Sequence, residues 1–201
     1  MSELPHAHLQ AEAHRKLGNC LLHLQHYEMA LKKLLSTQNA LGSLENLQSF
    51  IDKKVTVNSN KTLGQLVAEF TKDFIQPTLH EPEMIDQNDL GAAPQPNSIW
   101  FSMKSSMRFS SKRHAEISQQ LKELVDLRNF LVHHFIERFD IHTEAGCHGA
   151  NLHLDDCYKK IDNHYLTLTT WAMSMDKTRS YAASFMSSPA FWDAIDADLK
   201  P

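Results

Sequence analysis

The stretch Leu124-Val125-Asp126-Leu127-Arg128-Asn129-Phe130-Leu131-Val132-His133-His134-Phe135 decides how the rest of the chain is read. Around it Ile117, Leu121, Leu124, Val125, Leu127, Leu131, Val132, Phe135 and Ile136 recur at helical steps, and neither proline nor glycine interrupts Ser110–Asp140. That spacing predicts a helix over Ser110–Asp140, with an apolar stripe wide enough to be buried on most of its circumference. A guanidinium and imidazoles are set into this greasy segment. A cation withdrawn from water needs an anionic partner, and the acids nearest on the same helix are Glu123 and Asp126.

Helical periodicity extends on both sides. From His8 to Leu35, Leu9, Ala13, Leu17, Leu21, Leu24, Ala30, Leu31, Leu34 and Leu35 follow at mostly three- and four-residue steps and predict a long amphipathic helix. Ser43–Ile51 and Thr62–Ile75 predict two more, parted by Asn58-Ser59-Asn60, with Asn60 or Thr62 as N-cap. Pro77, Pro82, Pro94, Pro96 and Gly91 predict a long irregular loop over 76–97. Glu144–Gly149, with two glycines, reads as a break, after which Leu152–Tyr181 resumes helical spacing from a start at Asn151 or Asp155. The tail 187–201 carries Phe191, Trp192 and Ile195 and predicts a short helix docking on the body. No strand pattern of convincing length appears. The expected fold class is all-α: a single-domain helical bundle over 1–201, with four to five helices plus the proline-containing loop.

Composition narrows the setting. No apolar run reaches the ~20 residues that a bilayer span needs, and Met1-Ser2-Glu3 opens a polar segment without the pattern of a secretion signal. Three cysteines, Cys20, Cys147 and Cys157, make no disulfide framework and suit a reducing cytosol. A soluble, cytoplasmic protein with no membrane partner is expected. The net charge of -4 argues against a general nucleic-acid coating protein and leaves room only for a local basic patch.

On a regular α-helix Asn129 and His133 stack at i,i+4, while Arg128 lies roughly 140° around from His133 and about 7.5 Å along the axis. That separation suits a phosphodiester lying across the helix. Arg128 would grip a non-bridging oxygen bidentately, and His133 would exchange a proton with the 2′-hydroxyl or the leaving oxygen.

Arg128-Asn129-x3-His133 resembles the R-x4–6-H motif, with a polar residue directly after the arginine, of HEPN domains. These are α-helical domains that often act as toxin or antiviral ribonucleases. The likeness implies a metal-independent endoribonuclease that uses the 2′-hydroxyl as internal nucleophile and leaves cyclic phosphate ends. It implies Arg128, Asn129 and His133 as catalytic residues, RNA as substrate, and no metal or cofactor. It also implies a homodimer that joins two motif copies over one cleft, and a cognate antitoxin or regulatory protein as a further partner. The apolar flank Leu124, Leu127, Leu131 and Val132 fits; elsewhere the match is one of helical character alone. Phe135 stands where some relatives carry a tyrosine that is adenylylated by their antitoxin, which removes that target. His134 also satisfies the spacing and is the alternative acid/base, His133 being favoured for its i,i+4 relation to Asn129.

Other features carry weaker readings. Lys104, Arg108, Lys112 and Arg113, interleaved with Trp100, Phe101 and Phe109 and opposed only by Glu116, read as an RNA-guiding rim or as a solvated helix start. His142, Cys147, His148, His153 and Cys157 are dense in zinc-ligand types at spacings that fit no finger or knuckle, so no metal site is expected. Ala11–Leu34 resembles a single tetratricopeptide repeat through Leu17, Gly18, Leu21, Tyr27 and Ala30, but no second copy follows, which leaves a generic helix pair. The alternative function is a non-catalytic helical protein-interaction or RNA-binding module.

Overall fold

Heptad spacing on two long helices sets the architecture. The computed structural model describes residues 6–43, 47–78 and 100–198, with the backbone alone at 39–43, 47, 100–102 and 194–198. Along the chain come α1 (Ala7–Thr37), β1 (Asn39–Ser43), α2 (Leu47–Ser59) and α3 (Leu63–Glu69), then a π-helical turn (Phe70–Phe74) and β2 (Ile75–Pro77). After these follow β3 (Trp100–Lys104), β4 (Met107–Phe109), α4 (Ser111–Asn129), a second π-helical turn (Phe130–His134), α5 (Phe135–Arg138), α6 (Glu144–Met186) and α7 (Pro189–Asp198). The fold is all-α, as expected, with two small strand pairs added.

α1 buries Ala13, Cys20, Leu24, Tyr27, Leu31 and Leu34, and α6 buries Cys147, Ala150, Leu154, Cys157, Ile161, Leu168 and Met175. Both series repeat every seven residues, the periodicity that keeps one seam facing a partner helix. The two helices run parallel: Asn151 Nδ2 donates to Leu9 O (3.0 Å), Lys16 meets Asp155 (2.7 Å), His23 meets Asp162 (3.2 Å), and Arg179 donates to Thr37 O (2.5 Å). α3 and α4 close the core with Leu63, Leu66, Val67, Ile117, Leu121 and Leu124. Among the described residues no helix is long and apolar enough to cross a membrane.

Several expectations are corrected. Ser43 belongs to a strand, and the second helix begins only at Leu47. Thr62 does cap α3, through a reciprocal box with Gln65, but the helix widens into a π turn at Phe70. The strands escaped notice because they are only three to five residues long: β1 pairs antiparallel with β3, and β2 pairs parallel with β4. Of the loop expected over 76–97, Gln76 and Pro77 lie in β2, and 79–97 lies outside the described residues.

The glycines of Glu144–Gly149 do not break the chain; they sit in the first turns of α6, which starts eight residues before Leu152. Thr143 is the N-cap, its Oγ1 accepting from Gly146 N (3.1 Å) and donating to Asp140 O (3.0 Å). A Cβ on Gly146 would stand 1.9 Å from Asp140 O, so only glycine lets the preceding loop fold down here. At the other end, Phe191 of α7 meets Phe185 in the last turn of α6 edge-on (5.5 Å), while the side chain of Ile195 lies outside the described residues.

Candidate functional site

The helix expected over Ser110–Asp140 is not regular. Ser110 caps α4, accepting from Arg113 N (3.4 Å), and the α-pattern holds to Asn129. The π-helical turn then occupies Phe130–His134, and His134 leaves helical dihedrals (φ -123°, ψ 0°) before α5 begins. A π turn takes more residues to complete one revolution, because its hydrogen bonds run from i to i+5. It therefore narrows the roughly 140° that a regular α-helix would put between Arg128 and His133.

Burial along this segment is one-sided. Leu131 and Phe135 are buried, whereas Val132 (46% exposed), Ile136 (71%), Asn129, His133 and His134 face solvent, and Arg128 is half-buried. The expectation of burial on most of the circumference is thus corrected: the apolar stripe is wider than the face that other elements cover. Arg128 has no acidic partner from Glu123 or Asp126; its Nη1 donates to Asn129 Oδ1 at 3.3 Å. His134 Nδ1 lies 2.9 Å from Glu137 Oε2, and the His133 and His134 rings meet at 6.3 Å. The structure brings Arg128 to Asn129 and His133 to His134, and no hydrogen bond joins the two pairs among the described residues.

The cations of the expected RNA rim are exposed at the opposite end of α4. Lys104 closes β3, Arg108 lies in β4, and Lys112 and Arg113 stand in the first turn of α4, where Arg113 pairs with Glu116 (3.1 Å). From Arg113 to Arg128 the helix rises about 22 Å, so rim and motif do not share one site. The side chains of Trp100 and Phe101 lie outside the described residues. The zinc-type residues are not gathered either: Cys147 donates to Ile141 O (3.0 Å) and Cys20 to Leu154 O (3.5 Å), and no three His, Cys, Asp or Glu converge among the described residues. Burial pushes the Cys20 thiol up to about 12 and that of Cys157 to about 11, so both behave as core groups.

Sequence reasoning missed a second surface. α4 and α6 run antiparallel and leave between them an open groove of about 920 Å³. Leu124, Leu127, Phe130 and Phe139 form its apolar wall, and Arg113, Arg138 and Lys160 are its cations. His153 and His164 line it from α6, Glu123 and Asp126 from α4. None of Arg128, Asn129, His133 or His134 lines it. The signal was present as a seven-residue step on each helix, 113–120–127 and 153–160–167, legible only once the two helices are known to be neighbours.

Burial holds the imidazoles of His153 and His164 below the usual histidine value; Lys160 and Arg138 add to this at His153, while Glu123 opposes it at His164. No family model matches the chain, and no curated protein and no solved structure matches it.

Proposed function

We propose that the chain is a metal-independent endoribonuclease of the HEPN type, acting as a toxin or antiviral effector on RNA in the cytoplasm. The observation that carries this reading is the π-helical turn Phe130–His134, set between Arg128-Asn129 and the histidines. Single π turns inside α-helices recur at functional sites, and this one turns His133 back toward the side of Arg128.

In the proposed reaction His133 takes the proton of a 2′-hydroxyl as its oxygen attacks the adjacent phosphorus. The bond to the 5′-oxygen breaks, a proton returns to that oxygen, and a 2′,3′-cyclic phosphate remains. Arg128, oriented by Asn129, neutralises the charge that builds on the non-bridging oxygens. His134, held by Glu137, is the alternative acid/base. Val132 and Ile136, exposed one turn apart beside His133, support a homodimer that places two motif copies over one cleft.

The same exposed pair favours the second reading, a non-catalytic interaction or RNA-binding module. One experiment separates them: purified protein is incubated with RNA in excess EDTA beside the Arg128→Ala, His133→Ala and His134→Ala variants. The ribonuclease reading expects cyclic-phosphate products, lost by about 100-fold or more in Arg128→Ala and in one histidine variant. Intact RNA, or cleavage undiminished in all three variants, overturns it.

A further inference from the structure

We infer that the α4–α6 groove is a binding site for a small planar aromatic ligand carrying an oxyanion, seated at its His153 end. This stands apart from the ribonuclease reading and uses none of its proposed catalytic residues. Three observations converge there.

The first is an unsatisfied polar atom. His153 Nε2 is buried and has no hydrogen-bond partner, although buried polar groups almost always find one. Its ring packs against Phe130 (5.3 Å, near-perpendicular) and Phe139 (5.2 Å, tilted 40°), and His153 lines the groove, so a ligand that shifts either ring brings a partner to Nε2. The imidazole is held toward its neutral form, so it offers one donor and one acceptor nitrogen.

The second is the wall. Phe130, Phe139 and Leu127 line the groove next to His153 and present apolar surface that a flat ring can cover. The third is charge. Arg138 and Lys160 line the same end with Asp126 beside them; both cations depress the His153 imidazole electrostatically while Asp156 opposes them, and neither cation is paired with a carboxylate among the described residues. The remaining cation, Arg113, is tied to Glu116 at the far end, about 21 Å along α4 from Leu127. Two uncommitted cations beside an apolar wall and an unpartnered imidazole fit a single oxyanion carried on a ring, and either a phosphate or a carboxylate supplies one.

The test follows the His153 ring nitrogens by NMR in the full chain during titration with 5′-AMP, benzoate, adenosine and inorganic phosphate. A saturable shift of His153 with 5′-AMP or benzoate is expected, the two arms telling a phosphate source from a carboxylate one, with adenosine and phosphate binding about tenfold or more weakly. Arg138→Glu and Lys160→Glu, both at exposed positions, are expected to weaken binding about tenfold each, while Arg128→Ala leaves it unchanged. No saturable shift at millimolar 5′-AMP and benzoate overturns the proposal, as does binding that survives both charge reversals. Adenosine binding as tightly as 5′-AMP overturns the oxyanion requirement. RNA cleavage does not enter any of these readouts.

Discussion

α6 shows two faces to the molecule, and they are built differently. Toward α1 it lays down an uninterrupted heptad seam in which Leu154, Ile161 and Leu168 are essentially without solvent exposure. Toward α4 it meets a helix whose continuation carries a π turn, with histidines, cations and half-covered aromatic rings around a groove between the two. The seam is where apolar pattern and packing agree. The groove side is where they part, and disagreement of that kind marks the places at which a chain trades packing for a site.

The largest expected effect tests the seam. Ile161→Ala removes a fully buried side chain from a tightly packed interface and is expected to cost about 2–5 kcal/mol in urea unfolding. Leu127→Ala, on the half-open groove wall, is expected to cost about 1 kcal/mol, since part of its surface already meets water. Equal costs would erase the distinction between the two faces.

Next in size is the loop that joins them. Gly146 sits where α6 starts, with no room for a Cβ against Asp140 O, so Gly146→Ala is expected to destabilise by about 1–3 kcal/mol. Gly149 is three residues further into the same helix, and a Cβ there meets Phe139 only at 3.7 Å, an ordinary contact. Gly149→Ala should therefore leave stability unchanged or raise it by up to about 1 kcal/mol, because alanine loses less backbone entropy in a helix. Thermal unfolding of the pair reads the opposite signs directly; the same sign in both would refute the close approach at Asp140.

These glycines also show what periodicity can and cannot say. The long helices α1 and α6 were legible because an apolar step of three or four residues, sustained over many turns, matches an amphipathic helix and neither a strand nor a loop. The start of α6 was not, since the role of Gly146 is set by Asp140 across a loop and a glycine pair looks the same whether it breaks a helix or lets a neighbour approach. Arg128, Asn129, His133 and His134 were legible as a group of chemical types, yet their exposure was not: which part of an apolar stripe is covered depends on what packs against it, and Val132 and Ile136 stay exposed. The π turn shifts the register by less than one α-turn, too little for a hydrophobic pattern to register. The groove needed knowledge of which helices are neighbours and in which direction they run.

The smallest expected effect concerns protons on the groove face. His153 and His164 both titrate below the usual histidine value of 6.5 in the folded chain, chiefly through burial. Unfolded, each binds a proton once the pH falls through about 6.5; folded, each resists until lower pH. Between those points the unfolded state holds more protons, so native stability rises with pH and is lost on acidification through this window. His164 also meets Tyr27 of α1 edge-on (6.4 Å), so its burial is shared between the groove and the seam. Urea unfolding of the wild type at pH 7 and about pH 5.5 should therefore show a larger drop than in His153→Leu/His164→Leu, which lacks both imidazoles. Both rings are partly solvated, which keeps the difference below that of the cavity and glycine variants. Parallel pH profiles in the two proteins would mean that water reaches these imidazoles freely, and that the groove side is as open to solvent as the outer surface of the helix.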